Sequence, residues 1–172
     1  MSSTLAWTDS LVLNQPRLDT THQEFVELLN TFGAALDEGR DALPAYHALL
    51  AHTEAHFAME EDWMERCGFE PQNCHAGQHA MVLNVMREAL RYANELNDRE
   101  PLTILRTELA GWFPQHAEMM DAALVWTMEQ RGFDPATGEC RVPATAGAAA
   151  SSWSEGPCPR TTQTSSPTRG WT

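Results

Sequence analysis

The sequence predicts an all-α protein: an up-down-up-down four-helix bundle with an N-terminal arm and a disordered C-terminal tail. Apolar residues recur every three or four positions through four stretches of roughly 18 to 30 residues, the period that lines one face of a helix. Helix-starting and helix-stopping residues bound each stretch, the loops between them are short, and no strand-like alternation competes. Past residue 134 the pattern ends. Eighteen of the thirty residues from Pro143 to Thr172 are Gly, Pro, Ser or Thr, too polar and too flexible a composition to build a core.

The elements run in order along the chain. Residues 1–18 carry Leu5, Trp7, Leu11, Val12, Leu13 and Leu18, interrupted by Pro16, and read as an ordered arm anchored by Trp7. From about 20 to 37, His22, Phe25, Val26, Leu29, Phe32 and Leu36 form one helical stripe, with Thr20 or Thr21 as the cap and Gly39 as the stop. Asp41 and Pro44 open the second helix, whose stripe runs through Leu49, His52 or Thr53, His56, Glu60, Trp63 and Met64 until Cys67, Gly68 and Pro71 end it.

The third helix, about 73 to 97, shows His75, His79, Val82, Met86, Leu90 and Ala93. The fourth, about 101 to 131, starts at Pro101, shows Leu105, Leu109, Trp112, His116, Met119 and Ala123, and closes at Gly132. Residues 1–134 are thus one domain and 135–172 a low-complexity tail, whose Trp153 and Trp171 have no core to join.

Charge narrows the partners. Lys and Arg total 11 against 24 Asp and Glu, for a net charge of −13, and every basic residue is arginine. Such a balance argues against nucleic acid or an anionic membrane as a partner. No apolar run approaches the ~20 residues needed to span a bilayer, and the N-terminus has no basic start followed by a hydrophobic stretch, so a cytoplasmic protein is expected. In that compartment Cys67, Cys74, Cys140 and Cys158 are expected as free thiols, and their spacing matches no zinc ribbon.

Chemistry concentrates in three fragments, HFAME at 56–60, HAGQH at 75–79 and HAEMMD at 116–121. Residues four apart lie roughly 40° apart around a helix, so His56 and Glu60, or His75 and His79, can aim at one point. With His22 and Asp121 the set comes to five histidines and two carboxylates on four helices. A lone histidine on a helix is more often solvated or packed than a ligand, but burying this many titratable groups together would be costly unless a metal satisfied them. His52, one turn before His56, is the rival ligand, though it would lie two turns from Glu60; His47 and Glu61 read as solvated.

These residues resemble the hemerythrin family, in its short single-domain bacterial form. The resemblance covers about residues 5 to 133 and rests on Trp7, LDTTHQEF around His22, HFAMEE from His56, HAGQH from His75 and WFPQHAEMMD from Trp112. It implies that His75, His79 and His116 hold one iron and His22 and His56 the other, with Glu60 and Asp121 bridging both. The implied cofactor is an oxo- or hydroxo-bridged pair of iron ions. Five histidines, two bridging carboxylates and one bridging oxygen fill all but one of the positions that two octahedral ions offer. The open position belongs to the ion with fewer protein ligands.

Histidine predominates, and the paired Glu-x-x-His motifs of ferritin-like oxidases are missing. Together with the resemblance, this gives the expectation of a monomeric, non-enzymatic protein that binds dioxygen reversibly, for carriage, storage or sensing. The alternatives are a di-iron enzyme acting on peroxide or nitric oxide, or an iron or redox sensor. Phe25, Phe57, Trp112 and Phe113, each a turn or a residue from a ligand, are expected to wall the oxygen pocket. Two departures stand out. Ala117 occupies a position where the family usually has a larger aliphatic residue, and Pro114 should kink the fourth helix. His116 and Asp121 are five apart, about 140° around an ideal helix, so the helix must widen locally to bring them together.

Overall fold

A computed structural model describes residues 3–142 of the chain. Four long helical rods pack in sequence: α1 (Pro16–Asp37), α2 (Leu43–Arg66), α3 (Cys74–Glu95), and a fourth made of α4 (Glu100–His116), a π turn (Ala117–Asp121) and α5 (Ala122–Arg131). Successive rods touch and α1 closes onto α4, which makes the expected up-down-up-down bundle. No helix among the described residues is long and apolar enough to cross a membrane. The part of the expected tail from Pro143 onward, with Trp153 and Trp171, lies outside the described residues.

Helix boundaries follow local chemistry. α1 begins earlier than the threonines suggest: Pro16 occupies the first turn, where a missing N–H costs nothing, and the Gln15 side chain accepts from the Leu18 N–H at 2.7 Å. Thr20 and Thr21 lie inside the helix and donate back to the carbonyls of Pro16 and Arg17. Asn73 caps α3 by accepting from the Ala76 N–H at 3.0 Å. Gly132 ends α5 with φ +55°, a left-handed turn that glycine adopts without strain.

The N-terminal arm is fastened by a device that hydrophobic periodicity does not reveal. The Leu5 N–H donates to Asn30 Oδ1 at 2.9 Å, and Asn30 Nδ2 donates back to the Leu5 carbonyl at 2.8 Å, so one α1 side chain pairs with an extended segment as a strand would. The arm passes so close to α1 that a Cβ at Gly33 would stand 2.1 Å from Thr4 Oγ1. Leu5 and Trp7 then pack on the core, as the anchoring reading of Trp7 expects.

Two details depart from expectation. Order continues past residue 134: β1 (Phe133–Asp134) pairs antiparallel with β2 (Glu139–Cys140) in a small hairpin after α5. Strands of two residues leave no alternation to detect. Cys67 and Cys140 are free thiols, as expected, whereas Cys74 is disulfide-bonded.

The core is divided in two. One apolar cluster holds Phe25, Leu29, Phe32, Tyr46, Leu49, Phe57, Met86, Leu102, Leu109 and Phe113; the other holds Leu18, Trp63, Met64, Cys67, Leu124, Val125, Met128 and Phe133. On each rod the change from one cluster to the other falls at buried polar residues: His22 on α1, His56 and Glu60 on α2, His79 on α3, and His116 and Asp121 on the fourth. The bundle is two hydrophobic plugs with a polar layer between them.

Candidate metal centre

That layer contains all seven residues singled out from the sequence. His22, His56, Glu60, His75, His79, His116 and Asp121 are each 4% exposed or less. Their donor atoms form two overlapping groups able to hold a metal ion, Glu60 with His75, His79, His116 and Asp121, and His22 with His56 and Glu60.

Each carboxylate divides its oxygens between the two histidine groups. Glu60 places Oε1 3.0 Å from His56 Nε2 and Oε2 3.1 and 3.3 Å from Nε2 of His79 and His75. Asp121 places Oδ2 3.2 Å from His22 Nε2 and Oδ1 3.0 and 3.2 Å from Nε2 of His75 and His116. The π turn makes the last contact possible. The Ala122 N–H bonds to the Ala117 carbonyl five residues back, and the wider turn carries Asp121 round to the face of His116.

Apart from the His56–Glu60 and His79–His116 pairs, this close approach is not hydrogen bonding. Both nitrogens of His22 and of His75, Nδ1 of His56, Oε2 of Glu60 and both oxygens of Asp121 are buried without a hydrogen-bond partner. An orphaned buried polar atom costs about 1–3 kcal/mol, so such a cluster is untenable without something at its centre. Lone pairs converging at 3.0–3.3 Å without hydrogen-bond alignment are what ligands leave around a cation. The donor set of imidazoles and carboxylates fits a first-row transition metal such as iron.

The two carboxylates and His79 match that role. Burial and the charge of Asp121 push the Glu60 carboxyl up, but His56 and His75 outweigh them and hold it well below the usual carboxylate range. Burial opposes ionisation of Asp121 too, yet the imidazole of His116, with those of His22 and His75, keeps it well below that range. Burial lowers the pKa of His79, which favours the neutral, ligating imidazole.

A family model for the hemerythrin HHE cation binding domain matches residues 15–125. The chain belongs to the hemerythrin family. It is 38% identical over 130 residues to a bacteriohemerythrin of Ralstonia nicotianae, covering 76% of this chain and 93% of that protein. It is 27% identical over 124 residues to a bacteriohemerythrin of Stenotrophomonas maltophilia, covering 69% of this chain and 78% of that one. No solved structure matches significantly.

Around this hemerythrin layer the four expected pocket residues separate into two walls. Phe25 stacks on Phe113 at 4.4 Å between centroids, and Phe113 meets His22 edge-on at 5.1 Å. Phe57 instead lies flat on His79 at 3.8 Å and 4°, and Trp112 stacks on His116 at 4.4 Å. Trp112 therefore belongs beside the three-histidine group, while Phe25 and Phe113 cover the two-histidine group. Ala117 is buried at 1% exposure, so its small side chain opens no path to solvent.

Two further residues escaped the sequence reading. Glu61, read as solvated, is half-exposed yet sets Oε1 3.3 Å from His79 Nδ1, and Gln78 accepts from His116 Nδ1 at 2.9 Å. Each holds the outer nitrogen of a histidine whose Nε2 faces the centre. Both adjoin a candidate ligand in sequence, the one signal that could have flagged them. His52 turns away, its Nε2 3.1 Å from the Thr21 carbonyl, and His47 is exposed, which removes both from the ligand set.

Proposed function

We propose that this chain is a di-iron protein that binds dioxygen reversibly in the cytoplasm, serving carriage, storage or sensing rather than catalysis. In this reading His75, His79 and His116 would hold one iron, His22 and His56 the other, and Glu60 and Asp121 would serve both. The carrying observation is the division of both carboxylates between a three-histidine and a two-histidine group. When bound, the ferrous pair would supply the electrons and the binding site for the small ligand.

The chain's own residues do the rest. Phe25 and Phe113, 1% exposed, keep water from the His22 side, which slows loss of the ferrous state. Glu61 and Gln78 fix the histidine rings on the other side, so that Nε2 and not Nδ1 faces the centre. The names of the two bacterial relatives are in keeping with this reading.

Anaerobic loading with ferrous iron, then an oxygen titration followed by visible absorption and metal analysis, tests the proposal. Two irons per chain and a spectrum that reverses on deoxygenation are expected. Irreversible bleaching with turnover of hydrogen peroxide or nitric oxide would replace the carrier reading with an enzyme.

A further inference from the structure

The hairpin after α5 lies beyond the segment that the family model matches, and it is docked on the C-terminal end of α2. Phe133 meets Trp63 edge-on at 6.1 Å, and Arg66 Nη1 reaches the Gly138 carbonyl at 3.5 Å. Gly138 sits at φ +72°, and a Cβ there would come within 2.8 Å of the Arg66 guanidinium, so the turn is shaped to receive this arginine. Cys140 Sγ donates to the Arg66 carbonyl at 3.5 Å. The next residue is Cys67, 1% exposed, in the apolar cluster against which Cys140 packs.

Both thiols are free, and they are neighbours in that cluster. Their environments differ. Burial, with Cys140 alongside, pushes the Cys67 thiol up to about 12, whereas Cys140 is only half-buried and is the sulfur an oxidant can reach.

We propose that Cys67 and Cys140 are a thiol pair that hydrogen peroxide converts to a disulfide, stapling the hairpin to the end of α2. The Cys140 thiolate attacks one peroxide oxygen; an S–O bond forms, the O–O bond breaks and, with a proton, water leaves. Cys67 sulfur then displaces hydroxide from the Cys140 sulfenic acid; the S–S bond forms, the S–O bond breaks, and the Cys67 proton leaves with hydroxide as water. Two thiols and one hydrogen peroxide give one disulfide and two waters. Neither sulfur is a candidate metal ligand, so the reaction leaves the polar layer intact.

The full chain, with its metal already in the fully oxidised state so that peroxide draws no electrons from it, is treated with equimolar hydrogen peroxide and digested without reduction. A peptide linking residues 67 and 140 is expected, with a melting temperature raised by roughly 5–15 °C and returned by dithiothreitol. Cys140→Ser should abolish both effects. Cys67→Ser should leave a sulfenic acid at Cys140 that dimedone traps. The proposal is overturned if Cys140 passes to sulfinic acid with Cys67 still reduced, if either sulfur couples to Cys74 or Cys158 instead, or if the melting shift survives in Cys140→Ser.

Discussion

His116 Nε2 lies 3.2 Å from Asp121 Oδ1, although the two residues are five apart on one rod. In a regular α-helix that spacing would turn them about 140° from each other. The rod instead opens into a π turn over Ala117–Asp121, three residues after Pro114, whose missing N–H already interrupts the regular ladder. A backbone irregularity is what lets one helix supply both a histidine and a carboxylate to the same layer.

Losing a shared carboxylate should be worse than losing a histidine. Glu60→Ala or Asp121→Ala should drop iron from two per chain towards none, whereas His22→Ala should retain about one. Metal analysis of the folded variants checks this, and two irons kept by either carboxylate variant would end the bridging assignment.

Gln78 and Glu61 should matter through the rings they hold. Gln78→Leu should speed iron release to a chelator by roughly 10–100-fold, with Glu61→Ala acting in the same direction more weakly because Glu61 is half-exposed. Release rates equal to those of the parent protein would show that packing alone orients His116 and His79.

Phe113 stacks on Phe25 and meets His22. Phe113→Ala should therefore speed autoxidation of the oxygenated form at least tenfold with iron content unchanged, while costing about 3–5 kcal/mol of stability. Circular dichroism must first show the variant folded. An unchanged decay rate in folded protein would place the water barrier elsewhere.

Truncation separates the contribution of the hairpin from that of the residues after it. A chain ending after Val142 should keep its helicity and iron. One ending after Asp134 loses β2 and the cover over Phe133, and should melt lower by the equivalent of up to about 2 kcal/mol. Equal melting temperatures for the two would make the hairpin dispensable.

The candidate site was legible because metal ligation demands particular residue types, and a helix repeats them at spacings a reader can count. His56 with Glu60 and His75 with His79 announce themselves at four apart, and the fivefold step from His116 to Asp121 forecast the widened turn. What sequence did not disclose depends on contacts between elements. Nothing about Asn30 says that its amide will clasp the backbone of Leu5, and Gln78 looks like any polar residue until α4 brings His116 beside it. Trp112 shows what spacing alone could have said: four residues before His116 on the same helix, it stacks on that ring and so lies beside the three-histidine group.

The polar layer that parts the two apolar clusters also bears on how the molecule comes undone. Hydrophobic contact usually welds a small domain into one cooperative unit, and here that weld is interrupted on all four rods. Bound metal would bridge the interruption and let the bundle melt in a single step. Stripped of metal, the end formed by Leu18, Trp63, Leu124, Met128 and Phe133 is the smaller unit and should open first, its amides exchanging with solvent while those around Leu29, Leu49 and Met86 stay protected.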